Sequence, residues 1–365
     1  MIPLKGRFPA MSLAINPPLA PMEAREVDEL PSGAGWQYEP KWDGFRCLAF
    51  RDGRTVVLQA KSGEPLTRYF PEVVMAIAAL TGEHFVLDGE IVVIGEGSRL
   101  SHEDLAQRIH PSARKVAQLS ARTPATFLAF DLLAEGDGAL VSRPLSERRT
   151  RLERFFKGAR IDGVGLSPST SKKAEAVAWL KDLGAAGIDG VVAKRKDAAY
   201  EPGAREAMVK FKVTRTLDCV VGGVRRTGEG AAAQVTLLLG LFDDEGLLHY
   251  VGTTAPLAPE SLKGFDKLVE KLVSPPGFTG RQPPSRPVVS SAPRPASPAA
   301  RPRDFEPLRP ALTAEVRYDR FAVDQFRGTP VLVRFRPDKK AAQCTFDALR
   351  PPRAVKGQGL ERIGL

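Results

Sequence analysis

Lys41 lies in the run EPKWDGFR, Glu39 to Arg46, on a short turn between two extended segments. Strand-like residues follow from Phe45 to Phe50. An Arg-Asp-Gly-Arg turn and a second strand, Thr55 to Gln59, complete a period-two hairpin that would hold the lysine on rigid backbone. A lysine held this way is a candidate nucleophile. An amine attacking phosphorus must be neutral, and a solvated lysine at about pH 7 almost never is. The chemistry therefore asks for nearby positive charge: Arg46, a bound divalent metal, and the run Lys210 to Lys212 if the fold brings it close. The short motif K-x-D-G is weak by itself, so its companions must carry the reading.

The companions are acids and lysines on strands. HFVLDGEIVVI, His84 to Ile94, reads as a strand interrupted at Asp-Gly-Glu, with Asp88 and Glu90 on one face. Two readings stand there: a hairpin turn with solvated acids, or ligands for a ribose hydroxyl or a hard metal. TFLAFDLL, Thr126 to Leu133, is an apolar strand in which Asp131 follows Phe130, an arrangement suited to a stacked base beside a carboxylate. IDGVVAKR places Asp189 at the start of a strand and Lys194 at its end. In YEPGAREAMVKFKV, Lys210 and Lys212 share one strand face, where solvent exposure and a phosphate site are the competing readings. RFRPDKK sets Arg334, Arg336, Lys339 and Lys340 around Asp338 just after a strand.

Helices must support these strands. PEVVMAIAAL repeats Val73, Val74 and Ile77 at helical spacing with Gly82 as its stop, and SHEDLAQRI forms a shorter helix. LSERRTRLERFF reads as a helix capped by Ser146 whose arginines form a solvated face, and SKKAEAVAWLKDLGAAG as another helix. Beyond a boundary near residues 213 to 217, short strands with turn glycines and one helix, PESLKGFDKLVEKLV, describe a small barrel of the OB kind. The expected division is 1–215, then 216–353 with a proline-rich insertion at 274–303, then a frayed tail at 354–365.

Composition narrows the function classes. With 53 Lys and Arg against 43 Asp and Glu, the formal charge of +10 favours a polyanionic partner, because phosphate contacts release counterions. No apolar run is long enough to span a bilayer, and the first residues lack a secretory pattern, so a cytoplasmic, nucleoid-associated protein is expected. Cys47, Cys219 and Cys344 are far apart and odd in number, and read as buried thiols rather than a disulfide framework. The four histidines lack zinc spacing.

Together EPKWDGFR, LQAKSGEPLTRYFPE, LDGEIVV, FLAFDLL, IDGVVAKR, YEPGAR with MVKFK, and RFRPDK form a collinear set. The set resembles the ATP-dependent DNA ligases of the covalent nucleotidyltransferase superfamily, in particular the short bacterial ligase C type, from about Pro18 to Leu349. The resemblance implies an α+β chain, with an ATP-grasp-like nucleotidyltransferase domain of antiparallel sheets and helices followed by an OB-fold β-barrel. It implies Lys41 as nucleophile toward ATP, Glu39 beside the adenine, Arg46 and Glu90 at the ribose or metal, Phe130 stacked on the base, and Asp189 with Glu90 at Mg2+ or Mn2+. Lys61, Arg205, Lys210 and Lys212 would hold the nucleotide, and Arg336 and Lys339 would orient the departing pyrophosphate. Nicked double-stranded DNA is the implied substrate, the chain is expected to be a monomer away from any membrane, and other DNA repair or end-joining proteins are its expected partners. Asp189 is one methylene shorter than the family's usual glutamate, Lys61 replaces a frequent arginine, and Met208 a frequent tryptophan. The rival readings are an RNA ligase, a capping-type guanylyltransferase, or a non-catalytic OB-fold DNA-binding protein.

Overall fold

The computed structural model describes residues 8–95, 98–188, 190–213, 215–228, 234–284, 304–322, 324–349 and 360. The chain divides into two compact units, Met1–Val213 with Pro352–Leu365, and Thr214–Pro351.

The first unit is built on two sheets. One has the order Thr55–Ala60, Phe45–Asp52, His84–Gly95, Ala125–Glu135, Gly138–Ala139, all antiparallel, with Arg99–Leu100 and Val164–Leu166 added to its long strands. The expected Arg51–Arg54 hairpin is there, with Asp52 opposite Thr55. The 84–95 stretch is not interrupted: it runs straight through Asp88-Gly89-Glu90 as one twelve-residue strand. Gly89 marks a close approach instead of a turn, because a Cβ there would stand 2.6 Å from the Leu128 carbonyl oxygen and overlap the Phe127 ring.

Helices cover the outer face of this sheet. Pro71–Ala78 starts with proline at its first turn, buries Val73, Ala76 and Ile77, and ends before Gly82 is reached. His102–Gln107 is capped by Ser101, whose hydroxyl accepts the Asp104 N–H. Leu145–Phe155 departs from expectation twice. Pro144 rather than Ser146 precedes it, and its buried side chains are Leu145, Arg148, Arg149 and Leu152, so two arginines face inward. Arg148 explains Asp131: the guanidinium donates to both carboxylate oxygens at 2.8 and 2.9 Å, and both partners are buried. Asp131 is therefore an internal counter-ion rather than a group beside a base.

The second sheet of this unit is small, in the order Arg25–Glu26, Met208–Lys212, Gly190–Arg195, Trp36–Pro40. Helix Lys173–Asp182 lies on it, with Ala176 packed among Leu30, Tyr38, Val191, Ala193 and Val209. Trp36–Pro40 and Phe45–Asp52 belong to different sheets, so the turn carrying Lys41 crosses from one sheet to the other.

The second unit is an antiparallel sheet in the order Leu248–Thr253, Gln234–Phe242, Arg215–Thr227, Thr313–Tyr318, Val331–Phe335, with Glu306–Pro307 on the long central strand. A bulge at Val221 to Gly223 bends that central strand, and Phe242 bridges Thr345, the curling that makes an OB-fold barrel. The single helix expected at 259–273 is broken: a 3-10 turn at Pro259–Leu262 is followed by Gly264 at φ 72° and the short helix Phe265–Glu270. Of the proline-rich stretch 274–303, residues 274–284 are part of this core. Phe278 is fully buried against Tyr250, and the Arg281 carbonyl accepts the Tyr250 N–H at 2.9 Å. Residues 285–303 lie outside the described residues.

Of the tail expected at 354–365, Leu360 alone lies among the described residues, and it is fully buried in the first unit. All three cysteines are free and buried, and among the described residues no helix is long and apolar enough to cross a membrane.

Candidate active site

The sheet-crossing turn opens on a pocket of about 310 Å³ in the first unit. Glu39, Lys41, Arg46, Lys61, Glu90, Phe130 and Lys210 all line it, residues spread over 172 positions of sequence from Glu39 to Lys210. Lys41 is fixed at its backbone, where its N–H donates to the Gly190 carbonyl at 3.0 Å. Gly190 is required by this packing: a Cβ there would lie 2.9 Å from Lys41 Cδ and collide with the Phe211 carbonyl.

One wall combines an aromatic face with two cations. The Phe130 ring has the Arg46 guanidinium 4.6 Å from its centroid and Lys194 Nζ at 4.2 Å. Lys194 is buried and donates to Glu39 Oε2 at 2.7 Å, while Gln37 donates to Glu39 Oε1 at 2.8 Å. Both Glu39 oxygens are thus occupied on a rigid strand, which fixes the carboxylate in place. Arg46 is equally constrained. It forks Asp88 at 2.5 Å on each oxygen, and the Tyr200 hydroxyl donates to the same carboxylate at 2.7 Å. Burial and the adjacent Asp88 charge hold the Tyr200 phenol well above its usual range.

Glu90 faces Arg46 across the strand pair and accepts the Gly44 N–H at 3.2 Å. Burial pushes its carboxyl from the ordinary 4.5 up to about 7, although Arg46 and Lys41 pull the other way. At the rim, Glu23 pairs with Lys61 at 3.1 Å and with Arg205 at 2.8 Å, and its hydrogen bond from Lys61 is the main reason its carboxyl lies below its usual range. Lys210 pairs with Glu26 at 3.3 Å, and Lys212 shares its strand face.

Arg205 therefore reaches the pocket rim through Glu23, and Lys212 continues the Lys210 face without lining the pocket. Asp189 lies outside the described residues. Arg336 and Lys339 form a separate cluster in the second unit. Asp218 accepts from Arg336 Nη1 at 3.2 Å and from Lys339 Nζ at 2.6 Å, and Arg336 holds the Asp338 carboxyl down at about 2.

The arrangement suits a nucleotide: a flat aromatic face, a fixed carboxylate beside it, several cations for phosphate oxygens, and an amine among them. Comparison with known proteins decides the family. The model for the ATP-dependent DNA ligase domain matches residues 20–212, and DNA ligase C2 of Mycolicibacterium smegmatis is 40% identical over 94% of this chain and 97% of its own. The chain belongs to the ATP-dependent DNA ligases. The multifunctional non-homologous end joining protein LigD of Mycobacterium bovis is 30% identical over 84% of this chain, a match spanning 37% of LigD. A solved structure from a structure-function study of Lig E DNA ligases superposes with a TM-score of 0.50 at 14% identity, covering 87% of this chain and 99% of that one, which supports the fold.

In this ligase Lys194 also lines the pocket, a role that its place at the end of a strand does not by itself announce. A signal was available: a lysine closing an apolar strand, Gly190–Arg195, has no apolar reason to be there and should be matched by an acid on a neighbouring strand. Glu39, directly opposite Val192 on the neighbouring strand, is that acid.

The half-buried Glu90 makes a prediction that needs no substrate. The native ligase holds the Glu90 proton up to about pH 7, whereas an unfolded chain releases it near the ordinary 4.5. Between these values the native state binds more protons, so Glu90 destabilises the fold progressively as pH rises. Measured without metal, the Glu90→Gln ligase should gain urea resistance relative to wild type as pH rises across that window. A constant difference between the two proteins would contradict it.

Proposed function

We propose that this ligase seals 5'-phosphate/3'-hydroxyl nicks in duplex DNA by three phosphoryl transfers that begin at Lys41. The amine of Lys41 forms a P–N bond with the α-phosphorus of ATP, and the bond to the β-phosphate bridge breaks, releasing pyrophosphate. An oxygen of the 5'-phosphate at the nick then takes the AMP, breaking the P–N bond. The 3'-hydroxyl finally attacks the 5'-phosphorus, forming the phosphodiester and releasing AMP. The observation carrying this reading is that Lys41 shares one pocket with the Phe130 face, Glu39, Lys61 and Lys210. Phe130 supports the adenine by stacking, Glu39 lies at its edge, and the lysines, with Arg205 at the rim, serve the phosphates.

Mg2+ or Mn2+ fits this site as a metal carried largely by the triphosphate. Such ions often take one or two carboxylates and complete their shell with phosphate oxygens and water. Glu90 supplies one carboxylate beside Lys41, and among the described residues no three His, Cys, Asp or Glu groups converge. A bound divalent cation would neutralise charge on the phosphoryl oxygens. Glu90 would hold it, with Asp189 as a second donor.

The basic chain, with 53 cationic against 43 acidic residues, fits a duplex DNA substrate. The likeness to LigD supports work in DNA repair or end joining; the ligase would act there as a monomer at the nucleoid. Intact mass before and after pyrophosphate treatment, followed by nicked DNA or RNA with ATP or GTP, tests the reading. An added AMP that pyrophosphate removes and that nicked DNA consumes is expected; label from GTP alone would overturn it.

Arg336 and Lys339 are assigned to the pyrophosphate side of the first step. They belong to the second unit, which would close over ATP for that step alone. Substituting either by alanine should slow self-adenylylation by about tenfold or more, while sealing of a pre-adenylylated nick changes far less. Equal losses in both steps would remove this division of labour.

A further inference from the structure

We propose that Leu360 is a positioning residue for the first chemical step: a side chain from the far end of the sequence that fills the apolar space beside Trp42, the residue after Lys41, and fixes the elements carrying the reacting groups. This rests on the reading of Lys41 as the AMP acceptor. Leu360 is fully buried and packs in one apolar cluster with Trp42, Val92, Leu128, Leu183 and Ile188.

What makes this cluster different from ordinary core is where its members sit in the chain. Trp42 follows Lys41 directly, and its indole N–H donates to Ser167 Oγ at 2.9 Å, which gives the ring a fixed orientation. Val92 and Leu128 are two residues from Glu90 and Phe130 on their respective strands, so each shares the sheet face of its pocket neighbour. Leu128 is also directly opposite Glu90 in the strand pairing. Leu183 and Ile188 flank the approach to Gly190, whose carbonyl holds the Lys41 N–H at 3.0 Å. Trp42, Val92, Leu128 and Ile188 are thus each within two residues of a group at the pocket, or of the carbonyl that anchors the lysine.

Interiors are close-packed, so removing a side chain here leaves its lining to shift toward the space. Misplacing a reacting group by about 1 Å can cost on the order of a hundredfold in rate. Truncating Leu360 should therefore slow the transfer to Lys41 and leave nucleotide affinity largely intact, because no part of Leu360 lines the pocket itself. A larger branched or unbranched apolar side chain should restore the rate.

The test compares full-length wild type with Leu360→Ala, Leu360→Val and Leu360→Met. Leu80→Ala is the control, since Leu80 is a buried leucine of a different core cluster, one without Trp42, and does not line the pocket. Rates of labelling from ATP tagged at the α-phosphate are measured against ATP concentration, well below each protein's unfolding temperature. The expected result is a kcat about tenfold lower for Leu360→Ala, a KM for ATP within about twofold of wild type, an intermediate kcat for Leu360→Val, and recovery in Leu360→Met. Leu80→Ala should lose stability and keep its kcat. Should Leu360→Ala not fold, the Val and Met variants carry the same comparison. A wild-type kcat in Leu360→Val and Leu360→Ala, or an equal loss in Leu80→Ala, overturns the positioning role alone. Absence of label on Lys41 in the wild type overturns this role together with the acceptor reading beneath it.

Discussion

Lys41→Ala should abolish labelling of the protein by ATP, by a factor of at least about a thousand, while its unfolding temperature stays within about 2 °C of wild type. The large activity loss follows because the side-chain nitrogen forms the bond, and the other amines lining the pocket are already engaged, Lys61 with Glu23 and Lys210 with Glu26. Lys194 Nζ donates to Glu39 at 2.7 Å and is buried over the Phe130 ring, so it cannot take over. The small stability change follows because the hydrogen bond anchoring this position uses the backbone N–H, which alanine keeps. Mass spectrometry of the labelled protein checks both the loss and the site. Label retained by the variant at comparable rate would remove Lys41 from the chemistry.

The second large effect falls one residue from the pocket and concerns stability. Asp131→Ala should lower unfolding free energy by about 3–5 kcal/mol, because it leaves the Arg148 guanidinium buried without its counter-ion. For a unit of this size the unfolding temperature should drop by roughly 6–20 °C. Below that temperature the KM for ATP should stay near the wild-type value, since Asp131 is not among the residues lining the pocket. Replacing both partners, Asp131→Leu with Arg148→Met, should recover much of the loss, because an apolar pair needs no compensation. A thermal shift below about 2 °C for Asp131→Ala would show that the ion pair is not held as the geometry indicates. Phe130→Ala offers the contrast: it removes the stacking face and should raise the KM for ATP.

The pocket residues were legible because each combines a chemical type with a strand position. Lys41, Glu90 and Lys210 were visible as charged groups set at strand ends or alternating with apolar residues, and alternation fixes which face such a group occupies. The acid-glycine pairs were visible too, but their meaning was not. At Gly89 and Gly190 the glycine admits a neighbouring carbonyl or side chain rather than turning the chain, and only the partner strand shows this. Similarly, the arginines of Leu145–Phe155 follow the pattern of a solvated face until Arg148 is brought onto Asp131 of the strand Ala125–Glu135, 17 residues earlier in the chain.

The sequence by itself determined the chemistry on offer: a lysine on a short turn, acids and cations on strands, and two successive sets of elements, because these follow from residue type and from the periods of helix and strand. Tertiary structure decided which charges neutralise each other and which remain for a ligand. Asp88 secures Arg46, Lys194 secures Glu39, and Asp218 gathers Arg336 with Lys339. It also placed Leu360 in one apolar cluster with Trp42, the residue after Lys41. Pairings of that kind join residues tens to hundreds of positions apart, and the energy that selects them comes from removing charge and apolar surface from water together, which no local pattern records.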